Sequence, residues 1–171
     1  MALVRPFGDA TPRIAPGAFL AETATVIGDV VVGAGSSIWY GTVVRGDVMP
    51  IRIGAATSIQ DNSVIHVTSD FAGTVVGDRV TVGHNVILHA CTIEDDCIIG
   101  MGAIVLDGAR VRRGSIVGAG ALVTPGTDIP EGSMVMGAPA RVKRPISDEE
   151  RARIASSAAH YVELIERYRA K

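Results

Sequence analysis

The sequence predicts an all-β chain, a parallel β-helix of six-residue rungs, followed by one C-terminal α-helix. Three observations carry this. Of 171 residues, 47% are apolar but only 4% aromatic, so the core must be filled by Val, Ile, Leu and Ala. That excludes a wide sandwich packed around rings. An aliphatic residue recurs every six positions over most of the chain. Beyond Ser147 the apolar spacing changes to three and four.

The rungs run in order. The first series is Ile14, Leu20, Val26, Val32, Ile38 and Val44, and after three extra residues it resumes at Ile53, Ile59 and Ile65. After five more it resumes at Val76, Val82 and Leu88. One step is then short by a residue, and the series continues through Ile93, Ile99, Val105, Val111, Val117, Val123, Ile129 and Val135, making 20 rungs. Four places after each aliphatic stands a small or β-branched residue, Val48, Ser69 and Thr92 among them, until Pro139 breaks the pattern. A proline there marks a chain leaving the ladder, since it has no N–H to donate. Helices repeat near 3.6 and single strands near 2, so six residues suit one short strand plus one corner. Gly follows the aliphatic at Gly33, Gly54, Gly77, Gly83, Gly100 and Gly118, where it is expected to supply unusual corner dihedrals.

This pattern resembles the hexapeptide-repeat family. The resemblance implies three rungs per coil in a left-handed triangular prism, with six to seven coils from 20 rungs. Residues 1–145 form the prism and 146–171 a helical tail that packs on it or on a neighbouring subunit. Ser147-Asp148-Glu149-Glu150 reads as a capping box. Ile154, Ala158, Tyr161, Ile165 and Tyr168 then follow at helical spacing, which predicts a helix over about 148–169.

Charge excludes other classes. The net charge of −2 and the absence of a basic run argue against a nucleic-acid binder. No stretch approaches the roughly 20 apolar residues of a membrane span, and the N-terminal region lacks the pattern of a secretory leader. Cys91 and Cys97 are packing residues rather than a disulfide framework. A cytoplasmic location is expected.

Three of the 4 histidines lie within 24 residues. With three rungs per coil, His66 and His89 each stand one place after their aliphatic, one coil apart on one face. Stacked strands lie about 4.8 Å apart, which suits two ligands on one metal. The alternative is three unrelated surface histidines. His84 falls on a different face. If it is a ligand too, it must come from another subunit, and a three-fold trimer with metal sites at its interfaces brings this about. Arg45 and Asp47 share the face of the two histidines, while Gln60 and Asp61 share that of His84. Arg45 is expected to reach Asp61 across an interface. Trp39 and Tyr40, also on the latter face, are packing residues or line that interface pocket. His160 is a solvated helix residue.

The runs V-R-G-D (44–47), I-Q-D-N-S-V-I-H (59–66) and G-H-N-V-I-L-H (83–89) resemble the γ-class carbonic anhydrase family over nearly the whole chain. The resemblance implies a homotrimer in which His66, His84 and His89 hold a metal, Zn2+ with Fe2+ or Co2+ as alternatives. It implies metal-bound hydroxide attacking CO2 to give bicarbonate, with Gln60 orienting it and Arg45, Asp47 and Asp61 around the site. The sequence departs from active members in its loop 68–74, whose only acid is Asp70, in Val48 where some carry a second acid, and in having Met134 and Met136 where a late coil approaches the metal. Rival readings are a metal-dependent hydrolase such as an acyl-CoA thioesterase, a hexapeptide acyltransferase, and a trimeric scaffold.

Overall fold

In the computed structural model, which describes residues 1–170, the aliphatic rungs become the inside of a parallel β-solenoid. Each rung from Ile14 to Val117 pairs in parallel with the rung three later. One column runs Ile14–Val32–Ile53–Val76–Ile93–Val111–Ile129. A second runs Leu20–Ile38–Ile59–Val82–Ile99–Val117–Val135. The third runs Val26–Val44–Ile65–Leu88–Val105–Val123. It starts one strand earlier than the spacing suggests, because Leu3–Arg5 pairs with Thr25–Ile27. Val4 is 42% exposed and breaks the six-residue step, so nothing in the pattern marks it. Three rungs to a turn give about seven turns.

From Val26 to Val135 every rung residue is at most 3% exposed. A shaft one aliphatic side chain wide has no room for rings. The corner column is also buried, but the two insertions and the shortened step displace it. Counting forward from the aliphatic selects Val48, Ser69 and Thr92, which are exposed or half-buried. The corners are instead filled by Ile51, Thr74 and Cys91, each two residues before the next rung. The extra residues bulge out after the strand, so the register is kept by the residue that enters the next strand.

The glycines after the aliphatics also need correction. Left-handed backbone falls three places after the aliphatic, at Gly35, Gly102 and Gly120 and also at Asn62 and Asn85. The glycine directly after the aliphatic answers close approach. A Cβ at Gly33 would lie 2.5 Å from the carbonyl of Gly54 in the next coil.

At its C-terminal end the solenoid closes when Arg141–Pro145 turns back antiparallel along Ser133–Met136. The helix Asp148–Arg169 follows, with both halves of the Ser147–Glu150 capping box formed. It lies along the second column on its own chain. Ile154 joins Ile116, Ile146, Ile98 and Met134 near the late coils, and Thr81 Oγ1 is 2.9 Å from Ser157 Oγ midway. Five rings gather at the early coils, where Trp39 meets Phe19, Tyr161 and Tyr168, and Tyr40 meets Tyr168. Trp39 is therefore a packing residue, 4% exposed, with its indole N–H donated to Ser58 Oγ.

Candidate metal centre

The third column brings its outward side chains into a row. Because Ile65 and Leu88 point into the shaft, the following His66 and His89 point out, and the two are direct partners in the parallel ladder. Their ring centroids are 5.2 Å apart. His66 Nδ1 stands 3.2 Å from His89 Nε2. The opposite nitrogens are engaged by carboxylates from the coils on either side. His66 Nε2 is 3.0 Å from Asp47 Oδ1, and His89 Nδ1 is 2.7 Å from Asp107 Oδ1. Arg45 donates to Asp47 Oδ2. Partial burial works against the Asp47 charge, but hydrogen bonds from His66 and Arg45 outweigh it and hold its carboxyl below the usual range. The hydrogen bond from Thr68, then that from His89, lowers Asp107 likewise.

His84 lies at the corner leaving the second column, two places after Val82, and Asp61 occupies the same place one coil earlier. Their shared position makes them partners, with His84 Nδ1 2.9 Å from Asp61 Oδ2. His84 is still 44% exposed and turns toward solvent. Gln60, 6% exposed, lines a cavity of about 640 Å³ together with His84, Met101, Met134, Met136 and Tyr161 of the helix. The cavity runs between the second column and the helix toward Arg144 and Arg153.

Two groupings therefore stand on different faces. One holds Arg45, Asp47, His66 and His89, and the other holds Gln60, Asp61 and His84. Within the chain Arg45 pairs with Asp47, and Asp61 pairs with His84 rather than with Arg45. Among the described residues of one chain, no three His, Cys, Asp or Glu side chains converge on a common point. Asp107 and Thr68 are site neighbours that the spacing argument missed. The available signal was a carboxylate on the coil directly after His89, on the same face.

The donor chemistry fits a metal. Ligating histidines characteristically give their second nitrogen to a carboxylate, which fixes the tautomer and aims the ring. All three histidines here have such a carboxylate.

Known proteins share this arrangement of coils. The bacterial transferase hexapeptide family (six repeats) matches residues 90–125. A solved hexapeptide transferase family protein from Anaplasma phagocytophilum superposes with a TM-score of 0.93 at 42% identity, covering 97% of this chain and 98% of that one. The chain is thus a hexapeptide-repeat protein with an imidazole–carboxylate site. The carbonic anhydrase of Geobacillus kaustophilus is 46% identical over 168 residues, 98% of this chain and 92% of the relative. The mitochondrial γ-carbonic anhydrase 1 of Arabidopsis thaliana is 49% identical over 168 residues, 95% of this chain. The chain spans 61% of that plant relative's length. The chain belongs to the γ-carbonic anhydrase family.

Proposed function

We propose that the chain is a metal-dependent enzyme that hydrates CO2 to bicarbonate as a homotrimer, with its sites between subunits. One observation carries this reading: the 3.2 Å between His66 Nδ1 and His89 Nε2. Two nitrogens on one tetrahedral ion, with bonds of about 2.0–2.1 Å, stand about 3.3–3.4 Å apart. Zn2+, or Fe2+ or Co2+, held by His66, His89 and the partner subunit's His84, would act as a Lewis acid and bring the pKa of water near 7.

The chain's own residues do the rest. Asp47, Asp61 and Asp107 take the second nitrogens of His66, His84 and His89 and hold each ring in one orientation. Gln60 has an amide able to donate or accept a hydrogen bond, and it orients the attacking water toward CO2. Arg45 ties Asp47 in place and, through its exposed side, pairs with the partner subunit's Asp61. Addition of water to CO2 releases one proton, which leaves to bulk buffer. An outward apolar strip, Val43–Val64–Ile87–Ile104–Leu122, flanks the two-histidine row and supports a subunit interface there. Val64 and Ile87 are each 38% exposed in the single chain. The two free, buried thiols fit a reducing compartment such as the cytoplasm. No described helix is long and apolar enough to cross a membrane.

The test is metal analysis with stopped-flow CO2 hydration. Wild-type protein is expected to carry about one metal per chain and to hydrate CO2, and His89→Ala to lose both. Metal-free wild-type protein would overturn the reading. A second reading is favoured by the 640 Å³ cavity beside Gln60 and His84, which is larger than CO2 needs. Hydrolysis of an acyl thioester at the same centre would use that space. Turnover of a thioester panel without CO2 hydration would select it.

A further inference from the structure

We infer that Asp107, braced by Thr68, is a positioning residue that fixes the His89 ring with Nε2 bare and facing the metal; this rests on the function proposed above. The geometry is specific. Asp107 Oδ1 is 2.7 Å from His89 Nδ1. The Thr68 hydroxyl donates to Asp107 Oδ2 at 2.5 Å. An ionised carboxylate only accepts, so the His89 nitrogen facing it must carry the proton. The other nitrogen, Nε2, then keeps its lone pair, and it is the atom 3.2 Å from His66 Nδ1. Thr68 prevents the carboxylate from turning, because it occupies the second oxygen.

This gives the insertion after Ile65 a purpose. Thr68 begins the loop TSDFAGT, which folds back through a bridge between Thr68 and Ala72. The Phe71 ring reaches the corner beside Asp107, where a Cβ on Gly108 would meet it at 3.4 Å. The loop is thus seated against the corner that carries Asp107, and its first residue delivers the hydroxyl.

The experiment compares wild type with Asp107→Ala, Asp107→Asn, Thr68→Val and His89→Ala. Zinc affinity is read by chelator competition. The His89 tautomer is read by 15N NMR of the metal-free protein, at a pH where the ring is neutral. Asp107→Ala is expected to weaken zinc binding about 10–100-fold and to shift His89 from the Nδ1–H form toward the Nε2–H form favoured by free side chains. Asp107→Asn retains an accepting oxygen and is expected to keep the tautomer and lose less affinity. Thr68→Val leaves the carboxylate in place and tests the brace independently, with an intermediate loss. An Asp107→Ala protein with wild-type zinc affinity and an unchanged tautomer overturns the inference while leaving the proposed function standing. Wild-type protein that binds no zinc, or His89→Ala that binds as wild type does, overturns both.

Discussion

At Gly33 and Gly102 one residue type meets two different demands. Gly33 stands where stacked corners touch, and an added Cβ would lie 2.5 Å from backbone atoms of Gly54. Neither coil can move without opening the ladder, so Gly33→Ala is expected to cost about 1–3 kcal/mol. Gly102 has open space around it but φ +69. Asn62 and Asn85 adopt that same conformation at the equivalent corner place. Gly102→Asn is therefore expected to cost under about 1 kcal/mol, since Asn tolerates left-handed backbone. Chemical denaturation midpoints of the two variants check this. The contrast also shows what the sequence discloses. Spacing alone located the rungs, because an inward aliphatic is demanded at every turn. It could not assign the glycines, since close approach and left-handed backbone leave the same letter. Asp107 escaped for another reason: it stands two places after Val105, not the one place after the aliphatic that paired His66 with His89.

The helix is the element whose ends and face were most legible. Its N-cap is written in four consecutive residues, and the structure forms both reciprocal bonds, Glu150 N–H to Ser147 Oγ and Ser147 N–H to Glu150 Oε2. Its docking on the second column was not legible, because Phe19 and Trp39 lie more than a hundred residues from Tyr161 and Tyr168. Ser147→Ala is expected to cost about 1 kcal/mol, read by thermal or chemical unfolding. Glu150 adds a pH dependence. Hydrogen bonds from Arg144, then from the Ser147 backbone, pull its carboxyl down to about 2 from an ordinary value of 4.5. A depressed carboxyl favours the fold when ionised. Its contribution is complete above about pH 4.5 and fades as pH falls toward 2. Glu150→Gln should lose stability near neutrality, and its deficit relative to wild type should shrink across that window.

At the scale of the whole molecule, the proposed site divides its ligands between two faces. His66 and His89 belong to the third column and His84 to the corner beyond the second. A site made from both faces needs two subunits. This separation came straight from counting rungs in threes, and the observed ladder keeps that count through both insertions and the shortened step. Oligomeric complementation tests it. His84→Ala chains keep the two-histidine row, and His89→Ala chains keep His84. Each homotrimer alone should bind little metal. If the chain trimerises as proposed, chains co-expressed in equal amounts give mixed trimers, in which a site is intact only where a His84→Ala subunit offers its row to a neighbour that is His89→Ala. Random assortment makes about one quarter of the sites intact. Metal content and CO2 hydration should both return to about that fraction of wild type. If each chain housed its own complete site, every subunit in the mixture would carry one defect and neither quantity would recover.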